Sequence, residues 1–451
     1  MRGFLASSVG VTCAVALTFP LTLPTGARAV APRATDAAPP TAPRALLTGD
    51  TGATSNTNVP GRTQSLRLSP LTPPATPAAA RARATPAAAQ GLIRRSVRPF
   101  SLLGIVWDDA DAVLHGDVQV RTRATATGSW SRWRTLDVHA RDHAADPDSA
   151  EARSARVRGA TAPLWVGASD GVEVRVTRHG TGGATERHSP LPAGLRLDLV
   201  DPGPEPTRRA RPRNRPAPHV PDRTDPPSGV ALALPAVHGR QPVGAPAAAA
   251  RTAPRPAITS RRTWGAGAGL PEGGYTYTGS VKAAFVHHSD TGNDYTCAQA
   301  PSVIRGIHRY HVTSSGWRDI GYNFLIDKCG TVYEGRAGGV NKAVLGAHTL
   351  GFNGDTMGIA VLGSYEDTAP PAAVVRAVAR LTAWKLGLYG ANPQGKTYLT
   401  SGGGNLYRKG EKVRLHRISG HRDGLATECP GAGLYEKLDT ARTTAARLQG
   451  H

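Results

Sequence analysis

Two histidines and a cysteine, far apart along the chain, are the residues whose chemistry suggests a metal site. His287 lies near the end of the strand-like stretch "KAAFVHHS", His421 ends "VRLHRISGH", and Cys429 directly precedes a proline. Neutral imidazoles and a thiolate suit Zn²⁺, and three protein ligands leave a fourth position for water, as in catalytic sites. An ordinary strand histidine and a buried thiol are the alternative, which spacing alone leaves open.

A set of two histidines and one cysteine also describes blue-copper sites. Those sites usually add a weak axial methionine. After the initiator, Met357 is the one methionine in the chain, and it lies far from Cys429 in sequence. Zinc is therefore favoured over a copper centre for electron transfer.

Strand-like and helical stretches surround these residues from Ile258 onward. Apolar, β-branched and aromatic residues bounded by Gly or Asp indicate strands at 282–289, 322–327, 331–336 and 358–365. Apolar residues at helical spacing predict three helices, marked by Ile304, Ile307, His308 and His311, by Val374, Val378, Leu381, Trp384 and Leu388, and by Leu434, Leu438, Ala441, Ala445 and Leu448. This pattern predicts a mixed α/β fold.

The amino terminus is typical of a secretory signal peptide. Residues 1–29 combine Arg2, a mainly apolar core and a final "ARA", and cleavage there would also remove Cys13. A retained membrane anchor is the alternative, which Pro20, Pro24 and the short core disfavour. Of the four cysteines, three would then remain. In an oxidising compartment an odd number indicates one disulfide and one thiol with another role.

Composition predicts a small β domain between two linkers. Residues 30–96 are rich in Ala, Pro, Thr and Arg, and residues 202–256 are rich in Pro and Arg, which favours disorder. Residues 97–201 contain period-two runs such as "VEVRVTR" and predict an all-β accessory domain. Its acidic loop 142–151 could hold Ca²⁺ but lacks the ligand spacing of a helix-loop-helix calcium site, so a solvated loop is favoured.

The chain is strongly basic, with 54 Lys and Arg against 33 Asp and Glu and a formal net charge of +21. Such a charge favours polyanionic partners, including anionic cell-wall polymers. A nucleic-acid binder would need aromatics interleaved with the basic residues, whereas the linkers supply Arg and Pro but almost no aromatics. No nucleic-acid partner is expected. The basic linkers are either wall-anchoring segments or solvated tethers.

Six stretches between residues 257 and 450 resemble, in order, the motifs of the peptidoglycan recognition protein and type 2 amidase family. They are "ITSRRTWGAG", "FVHHSD", "GWRDIGYNFLID", "VYEGR", "LGAHTLGFNGDTMGIAVLGSY" and "ISGHRDGLATECPG". A single "HH" would be weak evidence, but an ordered set of this length is specific.

The resemblance implies roles for the metal and catalytic residues. It makes His287, His421 and Cys429 the zinc ligands, and family members that only recognise peptidoglycan typically lack the cysteine. The family's catalytic tyrosine falls on Tyr322, whose hydroxyl would bond the metal-bound water or the developing oxyanion. Thr427 matches a position that lines the same pocket. Its alternative role is a loop hydroxyl bonded to its own backbone.

Positions that line the family's substrate groove fall on His311, Trp317, His348 and Asn353. Each of them could equally be a polar group satisfied within the protein. His288 follows His287 on one strand and must point to the opposite face, where it is predicted to pack or hydrogen-bond.

With Cys429 assigned to the metal, Cys297 and Cys329 remain. They lie near the two ends of one helix-strand unit, and a disulfide is predicted between them, worth about 2–4 kcal/mol. The common bridge of the animal members uses two cysteines close together after the "HH" strand, so this pairing departs from theirs.

These features predict an α/β catalytic domain at 257–450, with a central mixed β-sheet flanked by helices. The smaller all-β domain and the disordered Pro/Ala/Arg-rich linkers precede it. The resemblance implies a secreted, wall-associated zinc amidase that hydrolyses the bond between N-acetylmuramic acid and L-alanine in peptidoglycan, with muropeptides as substrate and no stable membrane insertion after signal cleavage. The alternative is a non-catalytic protein that binds peptidoglycan.

Overall fold

A computed structural model describes most of two predicted domains, at residues 59–71, 89–138, 140–178, 190–205, 252–267 and 274–451. All of these residues belong to one compact unit, Thr51–His451. The predicted signal peptide at 1–29 and most of the linker, 206–251, lie outside the described residues. Across the described ranges, no helix combines the length and the apolar character needed to cross a membrane.

The N-terminal part of the described chain forms an antiparallel sheet of eight strands. They are β1 (Arg62–Arg67), β2 (Ser69–Pro70), β3 (Ala89–Trp107), β4 (Gly116–Ala124), β5 (Arg134–Leu136), β6 (Gly159–Ala160), β7 (Leu164–Arg178) and β8 (Arg196–Asp201). The order is β1-β8-β3-β7-β4-β5, and β2 and β6 pair with opposite ends of β3. The predicted all-β architecture is confirmed.

This sheet begins earlier in the chain than composition predicts. β1, β2 and the first residues of β3 lie within 30–96, so the prediction of disorder is wrong for these stretches. Only Leu66 of β1 is buried, and the strand is held by pairing along its whole length with β8, far away in sequence. Such a strand carries little apolar periodicity of its own. The described ends of linker 202–256 also make contacts, since Glu205 pairs with Arg305 at 2.9 Å.

The second sheet contains six strands and carries the candidate ligands. Its order is β16-β10-β13-β11-β12-β9, formed by β9 (Ile258–Thr259), β10 (Ala283–His288), β11 (Phe324–Ile326), β12 (Val332–Glu334), β13 (Thr356–Val361) and β16 (Ile418–Gly420). All neighbours are parallel except β11 and β12. A separate hairpin joins β14 (Lys396–Thr400) to β15 (Lys412–His416). The predicted mixed sheet is confirmed.

Helices cover both faces of this second sheet. They are α1 (Arg261–Trp264), α2 (Ala300–Arg309), α3 (Ala372–Gly387), α4 (Ala432–Tyr435) and α5 (Leu438–Leu448). The apolar faces of α3 and α5 pack with one side of the sheet in a single buried cluster, which includes Val378, Leu381 and Ala445. The three predicted helices are present, with ends that differ by a few residues.

The opposite side of the second sheet shares a core with the N-terminal sheet. Leu102 of β3, Trp165 of β7 and Val200 of β8 belong to the same buried cluster as Ile304 of α2. At this junction the Tyr310 hydroxyl donates to two backbone carbonyls of the N-terminal sheet, at 3.2 Å each. The two sheets are therefore joined by apolar packing as well as by hydrogen bonds.

The predicted disulfide between Cys297 and Cys329 is present, with a Cα–Cα distance of 6.2 Å. It ties the 3₁₀ turn that precedes α2, Cys297–Gln299, to the turn that follows β11. Cys429 is the free cysteine among the described residues, and it is buried.

Candidate metal centre

The sheet topology brings His287 and His421 to the same edge. His287 lies at the carboxyl end of β10, and His421 directly follows β16. β10 and β16 are adjacent and parallel, so their carboxyl ends meet at one edge of the sheet. Both histidine side chains are completely buried there.

The loop after His421 returns Cys429 to the same place. Arg422 closes this loop, because its backbone N–H donates to the Cys429 carbonyl at 2.9 Å and its guanidinium donates to the Glu428 carbonyl at 2.8 Å. Asp423 accepts from the Gly420 N–H at 2.9 Å and so fixes the start of the turn. The chain between the two candidate ligands is thus held by its own backbone bonds.

The three predicted ligands converge, and a fourth histidine joins them. His143, His287, His421 and Cys429 each offer one ligand atom, and these atoms all lie within 4.8 Å of one another. Cys429 Sγ is 3.8 Å from His287 Nδ1. His143 lies in the connection between β5 and β6 of the N-terminal sheet. Its surroundings match none of the six motifs, so no sequence pattern indicates its role.

The hydrogen bonds of the two buried histidines suit metal ligands. His421 Nε2 donates to the Asp142 carbonyl at 3.1 Å, while none of the described residues offers His421 Nδ1 a hydrogen-bond partner. His287 Nε2 lies 3.4 Å from Thr349 Oγ1. Metal-ligating histidines commonly bond a protein group through the ring nitrogen that does not bind the metal. The unpartnered nitrogen of His421 therefore fits a cation.

Burial sets the protonation states of this group. It lowers the pKa values of His287 and His421 well below the usual histidine range, so both are neutral imidazoles with a lone pair to donate. Burial also raises the pKa of the Cys429 thiol well above its usual range, although the His288 backbone N–H bonds the sulfur and opposes that rise. A bound divalent cation favours the thiolate. Neutral nitrogens with a thiolate are the donor set of zinc.

The two predicted catalytic residues lie beside this set. The Tyr322 hydroxyl is 3.4 Å from His143 Nδ1, and its ring centroid is 5.5 Å from that of His287. Burial, followed by the nearby Cys429 sulfur, raises the pKa of Tyr322 well above its usual range, so the phenol keeps its proton. Thr427 is half-buried, and its hydroxyl accepts a bond from the Cys429 N–H at 3.4 Å. This bond to the nearby backbone is the alternative role expected for the Thr427 hydroxyl.

Two of the predicted groove residues line a cavity next to the centre. The His311 and Trp317 rings pack with centroids 4.4 Å apart, and both border a cavity of about 60 Å³ that Tyr322 and His143 also line. His311 Nδ1 accepts from the Gly321 N–H at 3.2 Å. The other ring nitrogen therefore carries the proton.

The other two predicted groove residues, His348 and Asn353, are completely buried. His348 Nδ1 is 2.9 Å from Thr349 Oγ1, the hydroxyl that also lies close to His287. The Asn353 amide donates to the Ala144 carbonyl of the N-terminal sheet's connection at 3.0 Å. Both positions thus have protein partners in this structure, and a role in binding substrate stays a prediction.

The alternation along β10 places His288 on the face opposite His287, as expected. His288 Nδ1 accepts from the Tyr365 N–H at 3.4 Å and is 3.3 Å from a Glu366 oxygen. Burial lowers the pKa of His288 to about 3. His288 contributes its backbone N–H, and not its ring, to the candidate centre.

The acidic loop 142–151 is only partly the solvated loop that its composition favours, because Asp148 is 65% exposed while other residues of the loop are buried. It belongs to the connection between β5 and β6, here called the covering loop (residues 140–158), which lies over the metal centre. Ala145 and Glu151 are buried. Glu151 pairs with Arg336 of the second sheet through two bonds of 2.8 Å each. The buried carboxylate of Glu151 is therefore satisfied by a protein partner that sequence spacing cannot reveal.

A mixed α/β domain with two histidines and a cysteine gathered at the carboxyl edge of its sheet presents a group of side chains that could hold a metal ion. Residues 277–432 match the N-acetylmuramoyl-L-alanine amidase family. Residues 58–212 match a family described as the Rv3811 N-terminal galactose-binding domain-like family, which again places the start of the first domain before residue 97.

Curated relatives agree with this match. Peptidoglycan-recognition protein SC2 of Drosophila simulans is 30% identical over 185 residues, which cover 41% of this chain and 85% of that protein. The human N-acetylmuramoyl-L-alanine amidase is 32% identical over 197 residues, 41% of this chain but 28% of that protein. The solved structure of Drosophila PGRP-LB has 26% identity and a TM-score of 0.33, covering 41% of this chain and 93% of that one. The chain belongs to the peptidoglycan recognition protein and type 2 amidase family.

Proposed function

We propose that this protein is a zinc-dependent amidase that hydrolyses the N-acetylmuramoyl-L-alanine bond of peptidoglycan. The observation that carries the proposal is the convergence of His287, His421 and Cys429 into one buried set. Cys429 is the most informative of the three residues. By the family resemblance, members that only recognise peptidoglycan typically lack this cysteine, so its presence favours hydrolysis. The match of the second domain to the amidase family supports the same reaction.

The three proposed metal ligands and Tyr322 have different roles in the proposed hydrolysis. His287, His421 and Cys429 would hold Zn²⁺, which when bound polarises an amide carbonyl and lowers the pKa of a coordinated water towards about 7. Tyr322 keeps its phenolic proton and can donate it as a hydrogen bond to the oxyanion that develops on the carbonyl. A preorganised donor of this kind lowers the barrier by about 2.7–4 kcal/mol.

Supporting groups hold the ligands in place. Thr349 lies within hydrogen-bond distance of His287 Nε2, and the His288 N–H bonds the Cys429 sulfur. Loss of such outer contacts typically costs about 10–100-fold in metal affinity or activity. No sequence pattern predicts this role for Thr349, although it directly follows His348 in the motif "LGAHTLGFNGDTMGIAVLGSY".

Peptidoglycan fragments are the proposed substrates, and the proposed location is outside the cell at the wall. The signal-like segment 1–29 and the basic composition of 206–251 support this location. Among the structural relatives, PGRP-LE has been solved in complex with tracheal cytotoxin, a monomeric diaminopimelic acid-type peptidoglycan.

The test combines metal analysis with product analysis. The full chain is incubated with muropeptides before and after chelation and after addition of Zn²⁺. The same incubations are made with His143→Ala, which removes the fourth side chain from the cluster of possible ligands. We expect chelation to stop release of the stem peptide, Zn²⁺ to restore it, and mass spectra to identify free muramic acid carboxyl and L-alanine amine ends.

Variants identify the ligands. Cys429→Ala and His421→Ala should lose stoichiometric zinc and turnover together, whereas His416→Ala, a histidine of the preceding strand β15, should retain both. Turnover that survives chelation, with a Cys429→Ala variant as active as its parent, contradicts the proposal. Saturable binding of muropeptides without cleavage by the zinc-loaded chain would instead identify a recognition protein.

A further inference from the structure

His143 reaches the metal centre from the other sheet. It ends a short 3₁₀ turn, Ala140–His143, in the covering loop. Its ring centroid lies 4.5 Å from that of His421 and 5.1 Å from that of His287. One of its ring nitrogens belongs to the set of four ligand atoms within 4.8 Å of one another. No motif of the catalytic domain contains this residue.

We propose that His143 is a fourth ligand of the metal and that the covering loop closes the catalytic centre in the folded chain. This inference rests on the proposed metal site. Four protein ligands are typical of closed zinc sites, whereas catalytic sites keep one position open. The protein as folded is therefore a self-closed form, and substrate reaches the metal only when His143 leaves.

The backbone of the covering loop is fixed beside His143. The Asp142 carbonyl accepts two hydrogen bonds from the second domain, one from His421 Nε2 at 3.1 Å and one from the Leu350 N–H at 3.0 Å. The first of these bonds orients a predicted metal ligand. Docking of the loop and orientation of His421 are therefore coupled.

The loop also occupies the predicted substrate groove. Asp146 Oδ1 accepts from the Gly351 N–H at 2.7 Å and from the Asn353 side-chain amide at 2.7 Å. Ala144 supplies a carbonyl to the same amide. The Asp146 carboxylate and the Ala144 carbonyl thus take the Asn353 amide, which the family resemblance assigns to the substrate groove, so the loop and a muropeptide compete for it.

A buried ion pair anchors the loop eight residues beyond His143. Glu151 binds the Arg336 guanidinium through both carboxylate oxygens, and each side chain is only 7% exposed. The Arg318 N–H donates to the same carboxylate at 3.1 Å. Further along, the Arg158 N–H donates to the Ser315 carbonyl at 3.1 Å. The loop is thus held on both sides of His143.

The space that remains is too small for substrate. The cavity beside His143 and Tyr322 measures about 60 Å³, whereas pockets that bind small organic ligands usually measure about 300–1,000 Å³. A muropeptide is larger than most such ligands.

Cobalt reports the coordination directly. The full chain is loaded with Co²⁺ in place of Zn²⁺, and sodium azide is titrated while the visible d–d absorption is recorded. We expect no azide-dependent shift in the parent and a saturable shift in His143→Ala, because an open position admits the anion. His115→Ala, which changes an exposed histidine directly before β4, should behave like the parent.

A second variant keeps the ligand but weakens the anchor. Glu151→Gln leaves His143 intact and should also allow the azide shift, at a higher azide concentration than His143→Ala needs. Circular dichroism checks that each variant is folded. Should His143→Ala fail to fold, Glu151→Gln still decides the question.

The outcomes separate this inference from the proposed function. An azide shift in the parent as large as in His143→Ala would overturn the fourth ligand, and so would a chain that holds no Co²⁺ at all. A shift confined to the variants with no muropeptide cleavage in any form would support the fourth ligand while contradicting the amidase. A shift together with faster cleavage in the variants supports both.

Discussion

Replacing Glu151 with Gln removes the negative charge from an ion pair that spans the two domains. The pair is bidentate and nearly inaccessible to water, with 7% of each side chain exposed. Removing one partner of a buried pair leaves the other charge unpaired, which destabilises by about 3–5 kcal/mol. Because Arg336 lies in the second domain and Glu151 in the covering loop, most of this change should affect docking of the loop.

The expected size of the effect follows from this figure. Each 1.4 kcal/mol is a factor of ten in an equilibrium constant. A loss of about 3–5 kcal/mol should therefore raise the population of the undocked loop by about a hundred-fold to several thousand-fold. The Leu350 and Gly351 N–H groups report undocking, because they donate to the Asp142 carbonyl and the Asp146 carboxylate. Hydrogen exchange measured by mass spectrometry on peptides covering 345–353 should therefore accelerate.

Asp148→Asn is the matched control. Asp148 lies in the same loop and also pairs with a basic residue of the second domain, Lys409, but both side chains are about two-thirds exposed, at 65% and 68%. Exposed pairs contribute little, so exchange in this variant should remain close to that of the parent. Equal acceleration in both variants, or none in Glu151→Gln, would refute the assignment of Glu151 as the buried anchor.

Three further predictions concern pH, catalysis and stability. Burial raises the pKa of Glu151, but the charge and hydrogen bonds of Arg336, together with the charge and backbone N–H of Arg318, hold the pKa below the ordinary 4.5. The contribution of Glu151 to docking is therefore complete above pH 4.5 and is lost as the pH falls through the lowered pKa, which hydrogen-exchange rates below pH 4.5 should show. Tyr322→Phe in the His143→Ala background should lower kcat by about 10²–10³ with unchanged zinc content in metal analysis; an unchanged kcat would exclude Tyr322 as the oxyanion donor. Replacing Cys297 and Cys329 by Ala should remove about 3–4 kcal/mol of unfolding free energy, as estimated from loop closure, lowering the urea midpoint without releasing zinc.

The fold of the second domain was predictable because its sequence signals are local. β10 and β13 are buried on both faces and appear in the sequence as short apolar runs. α3 begins directly after two prolines and carries apolar residues at helical spacing. His287 and His421 stand at the ends of such elements, so a prediction of parallel neighbours suffices to bring them together.

The strands and the site residue that the sequence did not predict depend on contacts between residues that are distant along the chain. β15 alternates exposed and buried residues over only five positions, and it is stabilised by pairing with β14. β1 likewise depends on β8. His143 stands in a polar loop without periodicity, and its position follows from the docking of one sheet on another, which no spacing along the chain encodes.

The apolar cluster shared by the two sheets limits how the protein could be divided. Ile304 and its neighbours on α2 are covered by Leu102, Trp165 and Val200 of the first sheet. A recombinant fragment that starts after the first sheet would therefore expose an apolar surface to water and tend to aggregate. Any opening of the centre that preserves solubility must therefore be a movement of the covering loop alone, hinged on a first domain that stays in place.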